Sequence, residues 1–468
     1  MMKARYPIVS RCASLCLALS LTACATFNQP GRIDTPLPDT FSMTGASPLA
    51  DRWWEMFTDP ELDALVDTAL RDNLSLRATW DRLAQADAIA RRDGAARLPA
   101  VNLNSSAEQT SGEDINRIND YAVGVAASYE LDLWGRVRST AQAAEFDARG
   151  AAAALNTAAI SLSAEVAGRW YQLVEQRGQL ALLQQQATYN EQVEELVTLR
   201  FRMGLAQAAD VLRQRQLVEQ TRGDSEDVLA QIRVLENQLA VLLGKAPGSM
   251  SFAARQTLDA LPALPDTGLP LELIERRPDI REAFYRVHAA DERVAAAIAE
   301  RYPRIDLSAG VSTLATSPGD LFSSWLANLA ARLAVPLFDA GRRMAEVDRN
   351  RAVVSEQLNA YEDTVLLALQ DVEDALAREY HQHKKIASLE RRLQLADAVI
   401  LRLRDRYIQG ATDYLDILDT LVNQQDLSRR LLTARRELLD FRIELARALA
   451  GGWDLQRPQA RTLVDAGA

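Results

Sequence analysis

The sequence predicts an internally duplicated α+β fold, in which very long coiled-coil helices alternate with paired strands. Three observations carry that expectation. The stretches between Pro99 and Pro247 and between Pro336 and Pro458 contain no proline, so nothing there forces a helix to kink or stop. Shifting the chain by 204 to 206 positions lays one half over the other. Arg77, Arg82, Asp87, Pro99 and Leu103 fall on Arg281, Arg286, Asp291, Pro303 and Leu307; Gly135-Arg136 falls on Gly341-Arg342; Gly204 with Asp210-Val211-Leu212 falls on Gly410 with Asp416-Ile417-Leu418. Finally, Tyr121, Val123, Val125, Ala127, Tyr129 and Leu131 alternate with smaller or polar residues, the period of a strand. A period near 200 residues is far above the roughly 20–50 of stacked solenoid units. One structural plan is used twice, and a function must account for both copies.

Lys3, Arg5 and Arg11 precede a short apolar run, Cys12 to Leu21, that ends in Leu21-Thr22-Ala23-Cys24. A basic start, a brief apolar core and small residues before the break describe a secretory signal peptide. The run is shorter than the roughly 20 apolar residues needed to span a bilayer as a helix. The tetrad resembles a bacterial lipobox, which makes Cys24 the lipidated first residue of the mature chain. Ala25 stands where an aspartate would signal inner-membrane retention, so the outer membrane is expected. All three cysteines lie in this segment, leaving no disulfide framework and no thiol metal site. Removing residues 1–23 leaves 50 basic against 64 acidic residues, a net charge of −14. Such a balance disfavours nucleic acid as a partner.

The expected division is a signal peptide at 1–23, a lipidated segment at 24–60, a first repeat at 61–244, a linker at 245–270, a second repeat at 271–451 and a tail at 452–468. Each repeat reads helix, strand, loop, strand, very long helix, turn, helix. The first helix opens at Trp53-Trp54, carries Asp59-Pro60 at a helix start and runs to about Leu98, where Pro99 breaks it. Val101 and Leu103 begin one strand and Tyr121–Leu131 form the next. In the second copy Ile305, Leu307, Ala309 and Val311 mark one strand, and alternate residues from Trp325 to Leu337 mark the other. Glu108–Asp120 and Leu314–Ser324 carry Ser, Gly, Asp, Asn and Pro and read as loops. Strands of this length suit a membrane-spanning barrel. Four cannot close one, and an open edge is not tolerated in hydrocarbon. Either helices cover a soluble sheet, or several chains pool their strands.

From about Gly135 to Arg202 apolar residues recur three and four apart, at Leu155, Ala159, Leu162, Val166, Trp170 and Leu173. The second copy repeats this at Leu358, Tyr361, Val365, Leu369, Val372 and Leu376. A narrow stripe suits coiled-coil packing, either as an exposed coiled coil or as the wall of a tunnel with water on both sides. Gly204 and Gly410 follow the long helices, where a glycine provides the left-handed stop. Shorter helices then run from about Asp210 to Leu243 and from Asp413 to Ala450.

Trp53-Trp54-x-x-Phe57-x-Asp59-Pro60-x-Leu62, the paired Gly-Arg starts and Tyr407-x-x-Gly410-x-x-x-Tyr414-Leu415-Asp416-Ile417-Leu418 together resemble the TolC-type outer-membrane factors. With its lipobox the chain is most similar to their lipoprotein branch, the OprM and NodT-like efflux channels. The resemblance covers nearly all of the chain from Cys24 to about Trp453. It implies a homotrimer in which three chains each give four strands to one barrel in the outer-membrane lipid, over a periplasmic helical tunnel closed at its far end. It implies an exit duct for small molecules, fed by an inner-membrane pump through a periplasmic adaptor. The same duct could serve a type I protein secretion system; a non-conducting coiled-coil scaffold is the third class.

Under that resemblance the working residues are electrostatic. Asp416 and Asp419, three apart on a helix, share a face, and in a trimer they form a ring that favours cations and repels anions. The spacing alone equally allows helix-start acids favoured by the dipole. Tyr407 and Asp210 occupy positions where the family links neighbouring helices in the closed state. Thr412 replaces an arginine found in some relatives, implying a simpler closure. Gly204 and Gly410 form the periplasmic tip. No catalytic residue, metal site or cofactor is expected beyond the lipid on Cys24. His381 and His383, two apart, diverge on a helix, and with His288 they complete the histidines.

Overall fold

The computed structural model describes residues 36–112 and 115–457. Cys24, with the signal segment and the expected lipid site, lies outside the described residues, as does the tail beyond Arg457.

Asp59-Pro60 starts a helix as its chemistry requires. The Asp59 carboxylate accepts from the backbone N–H of Glu61 (3.1 Å) and Leu62 (3.3 Å), and Pro60 sits where no N–H is needed. The single helix expected from Trp53 to Leu98 is corrected to three pieces. Trp53–Phe57 is a 3-10 turn, α1 spans Pro60–Asp72 and α2 spans Leu74–Ala95. The break falls at Asn73, whose side chain accepts from Leu76 N at 2.9 Å and donates to the Leu242 carbonyl at 2.9 Å. Capping the next helix while tying down a distant one wins over unbroken periodicity. The second copy breaks at the matching position, Arg277, between α5 (Pro270–Arg276) and α6 (Pro278–Ala299). There the buried guanidinium donates to the carbonyls of Ala368 and Ala448 and pairs with Asp371.

The long helices come out as read. With α4 (Ala208–Leu242) between the first copy's tip and the linker, α3 is Arg136–Arg202 and α7 is Arg342–Ile408, each of 67 residues, or about 100 Å. The last helix, α8, is Tyr414–Leu449. Every stripe residue named for α3, from Leu155 to Leu173, is buried. In α7, Val365, Leu369, Val372 and Leu376 are buried, while Leu358 and Tyr361 are half-buried.

The strands form one antiparallel sheet in the order β1-β2-β3-β4, with β1 at Ala100–Gly112, β2 at Ile115–Glu130, β3 at Arg304–Ala315 and β4 at Leu326–Ala334. The pairing of β2 with β3 joins the two copies, with Val125 opposite Val311. Two expectations change. The Glu108–Asp120 loop is largely ladder, with Glu108 opposite Asp120 and Thr110 opposite Ile118. Hairpin pairing satisfies backbone groups whatever the side chains, so a polar composition does not prevent a strand. Conversely, Trp325, Val335 and Leu337 fall outside β4, which ends just before Pro336, a residue with no N–H for the ladder. Strands β1 and β4 remain open edges in one chain, and all nine residues of β4 are exposed.

The core lies midway along the long helices. Trp53, Trp54, Phe57, Leu62 and Val66 pack on Trp170, Tyr171 and Leu173 of α3 and on Leu439, Ile443 and Ala446 of α8. The linker joins this belt: Phe252 packs into it, and Gly45 N donates to the Pro265 carbonyl at 2.9 Å. A Cβ at Gly45 would sit within 2 Å of the Leu264 carbonyl oxygen (1.7 Å), so the approach requires glycine. Asp59 organises the belt further, accepting from Trp170 Nε1 and from the Arg255 guanidinium, both at 2.8 Å.

Candidate functional site: the helix tips and the paired carboxylates of the last helix

Both long helices end in the same hydrogen-bonded reversal. Leu205 N donates to the Arg200 carbonyl (2.8 Å) and Gly204 N to that of Phe201 (2.9 Å); Ala411 N and Gly410 N repeat this to Arg406 (2.8 Å) and Tyr407 (3.0 Å). This is the Schellman arrangement, which needs a left-handed residue past the helix end. Gly204 and Gly410 supply it with φ of +71° and +74°. No atom lies within 4 Å of a Cβ built at either glycine, so backbone conformation, not space, demands glycine there. Phe201, Met203, Leu205 and Ile408 are exposed around the reversals.

Beneath the turns the two copies are stitched together. Val197 of α3, Val211 of α4, Tyr407 of α7 and Tyr414 of α8 form one buried cluster. The Tyr407 ring packs tilted against Tyr414, 5.8 Å between centroids, and lies under the Arg200 guanidinium at 4.3 Å, a cation–π contact. Burial pushes both phenols above their usual range, with Arg200 opposing this at Tyr407, so both stay protonated. The Tyr407 hydroxyl has no partner among the described residues. Asp210 instead serves its own helix, accepting from Gln207 N (3.0 Å) and pairing with Arg213 (3.4 Å). The chain therefore brings Tyr407 and Asp210 to the same tip without a hydrogen bond between them.

Asp416 and Asp419 are both exposed on the first turns of α8. The Thr412 hydroxyl donates to Asp416 at 2.7 Å, so Thr412 orients one of the two carboxylates. Asp413 occupies the N-cap position but makes no side-chain capping bond. Spacing predicts their shared helical face; it missed the amide network that packs α8 against the first copy. Tyr414 Oη donates to Gln214, whose Nε2 donates to the Asn190 carbonyl at 2.6 Å. Asn190 and Gln425 then exchange side-chain amide bonds, with Gln425 Nε2 to Asn190 Oδ1 at 2.8 Å. Further from the tip, Gln186 Nε2 reaches the Gln425 carbonyl (3.2 Å) and Gln179 Nε2 the Arg429 carbonyl (2.9 Å). The available signal was polar residues in the coiled-coil stripe. Gln186 and Asn190 sit three and seven positions after Leu183, where a leucine would be ordinary, and buried polar groups there fix register.

Among the described residues no group of three or more His, Cys, Asp or Glu side chains could hold a metal ion. His381 and His383 are exposed on α7.

Open strand edges and two 67-residue helices leave a single chain incomplete as a barrel and tunnel. The sequence pattern of the outer membrane efflux protein family matches residues 65–245 and 269–451. The chain is 32% identical to the pyoverdine export outer membrane protein OpmQ of Pseudomonas aeruginosa, over 95% of this chain and 97% of that one. It is 28% identical to the cation efflux system protein CusC of Escherichia coli, over 94% and 98%. The solved outer-membrane channel OprN superposes with a TM-score of 0.85 at 26% identity, over 92% of this chain and all of that one. The chain belongs to the outer membrane efflux protein family. It is an outer-membrane efflux channel and not an enzyme: each chain gives four strands to a barrel shared by three, and the helices continue as a periplasmic tunnel. It serves efflux across the outer membrane.

Proposed function

We propose that the protein is a lipid-anchored trimer whose tips dock the adaptor at Gly204 and Gly410 and whose gate is the ring of Asp416 and Asp419. The observation that carries this is the tip itself. Two identical glycine reversals converge, with exposed apolar residues around them and exposed carboxylates a turn or two away. Exposed apolar side chains at a helix end suit a protein partner, and an acidic ring suits a constriction that admits cations. Tyr407, Asp210 and Thr412 act as gate-associated groups: Tyr407 packs the copies together, while Asp210 and Thr412 fix the first turns of the two short helices.

The Leu-Thr-Ala-Cys tetrad supports a lipid on Cys24, with no other cofactor. The relatives include, by name, an exporter of pyoverdine and one of cations, which supports small solutes as cargo here over the secreted proteins of a type I system. The docking role is tested with Gly410→Val. A β-branched residue at φ +74° is strongly disfavoured, so adaptor cross-linking and pump-dependent resistance are expected to fall while trimer levels hold. Unchanged resistance in a strain relying on this duct would remove the tip from the docking surface.

A further inference from the structure

The duplication supplies a template for the contact between subunits. Leu103 faces Val125 in the first hairpin and Leu307 faces Ala331 in the second, so β1 maps onto β3 by a shift of 204 and β2 onto β4 by 206. The second shift continues through the long helices and their turns, carrying Arg136 to Arg342 and Gly204 to Gly410. It holds in the shorter helices too, where buried Thr221, Ile232 and Leu239 fall on buried Leu427, Leu438 and Leu445. Within one chain the copies meet where β2 pairs with β3 and α3 packs on α8. In a barrel shared by three, β4 meets β1 of the next chain, and the matching helix contact is α7 on the next chain's α4. The two seams differ in chemistry. Inside the chain, Gln179 Nε2 donates to the Thr433 hydroxyl (3.2 Å), which donates to Glu175 (2.6 Å), and Gln186 reaches the Gln425 carbonyl (3.2 Å). The shift replaces Glu175, Gln179 and Gln186 of α3 by His381, Lys385 and Arg392 of α7, and Thr433 and Gln425 of α8 by Asp227 and Glu219 of α4. Glu175, Gln179, Gln186 and Gln425 are buried, whereas all five counterparts are exposed in the single chain. Arg392 and Asp227 have no ion pair among the described residues; Lys385 reaches Glu437 (3.0 Å) and Glu219 reaches Arg222 (2.6 Å) at the surface. Gly223 lies between Glu219 and Asp227 on α4 with nothing within 4 Å of a built Cβ, which leaves room for long side chains opposite.

We propose that α7 of one subunit packs on α4 of the next in the register α3 takes against α8, and that ion pairs hold this seam. Asp227 of the partner subunit takes the place of Thr433, accepting from Lys385 and from a ring N–H of His381. Glu219 of the partner subunit pairs with Arg392. The exchange is chemically consistent. Thr433 must accept from one neighbour and donate to the other, whereas a carboxylate between two donors only accepts. Charge-assisted bonds of this kind are short and strong. Two copies joined in one chain find each other without help, so neutral amides suffice between them. Separate chains must select a face and a register, which opposite charges on α7 and α4 provide. Lys385 lies about 35 Å along α7 from its tip end, so this seam stands apart from the paired carboxylates of α8.

The test uses the full-length trimer in detergent, whose native cysteines all precede Ala25. A Lys385→Cys, Asp227→Cys double variant treated with a short bis-maleimide should give covalent dimers and trimers on denaturing gels, while each single variant runs as a monomer. Lys385→Glu and Asp227→Lys should each lower the temperature at which the trimer dissociates in SDS, and their combination should restore it. Restoration separates the seam from the Lys385–Glu437 pair inside the chain, which Asp227→Lys cannot repair. Arg392→Glu with Glu219→Arg should behave in the same way. A double-cysteine variant that yields no cross-link, or one that runs as a monomer, overturns the proposal and leaves this face to another partner such as the adaptor. So do single reversals that leave dissociation unchanged, or a double reversal no more stable than the single ones.

Discussion

Asp440 on α8 sits where the two copies meet, beside Arg436, which also pairs with Glu175 of α3 at 3.2 Å. The Thr433 hydroxyl donates to the other oxygen of Glu175 at 2.6 Å. Burial pushes the Asp440 carboxyl up to about 6, outweighing the attraction of Arg436, and Glu444 and Glu175 add repulsion. One Asp440 oxygen has no donor among the described residues. The folded chain thus holds this proton more tightly than the unfolded chain, in which the carboxyl titrates near its ordinary value. Stability is full below about pH 4, falls as pH rises through about 6 and stays lower above, by on the order of 2 kcal/mol. Asp440→Asn should flatten that dependence, so its apparent Tm at neutral pH exceeds the wild-type value while the two agree in acid. Identical pH profiles for both proteins would exclude Asp440 as the titrating group. None of this was legible in the sequence, because Glu175 belongs to the first copy while Arg436 and Asp440, four apart on one helix of the second, resemble ordinary helical charge patterning. The shared face of Asp416 and Asp419 was legible from their spacing; a gate role was not, because that spacing equally suits acids at a helix start.

The elements follow the same division between local and distant causes. The long helices were readable because an unbroken stripe and a terminal glycine are local signals. The break at Asn73 was not, because half of its cause is the Leu242 carbonyl, far away in sequence. Asn73→Ala removes both the cap bond to Leu76 and this tie, and should destabilise the belt by about 1–2 kcal/mol. The expected readout is a lower apparent Tm with conductance unchanged, since the belt lies away from the helix tips; an unaltered Tm would make Asn73 a passive linker. The strand ends were misread in both directions for one reason. Composition marks where side chains are polar, whereas a strand persists as long as a partner backbone is present, as from Glu108 to Thr110, and stops where a proline withholds its N–H, as at Pro336.

At the scale of the molecule, one chain leaves two strand edges and a wholly exposed β4 that only other chains can complete. Strand sharing, not the lipid, therefore closes the barrel. Cys24→Ser should lose the acyl mass from the mature N-terminus in mass spectrometry yet still give a trimer in native mass spectrometry. A monomer would show that the anchor is required for assembly. The duplication was plain in the sequence; the four strands alone left open a helix-covered soluble sheet or strands pooled by several chains, and the family resemblance decided between them. The amide ladder from Tyr414 to Gln179, which fixes one copy's register against the other, became visible only when the copies were packed together.

The central claim is that the tip is a closed, cation-favouring gate formed by Asp416 and Asp419. Single-channel current in planar bilayers under a salt gradient tests it most directly, comparing the wild-type trimer with the Asp416→Ala, Asp419→Ala double variant and with Asp413→Ala. The wild type should conduct poorly with a cation-selective reversal potential. The double variant should shift that potential toward zero, lose block by multivalent cations and conduct more, while Asp413→Ala behaves as wild type. A double variant with wild-type reversal potential and conductance would contradict the account and place the constriction elsewhere in the tunnel.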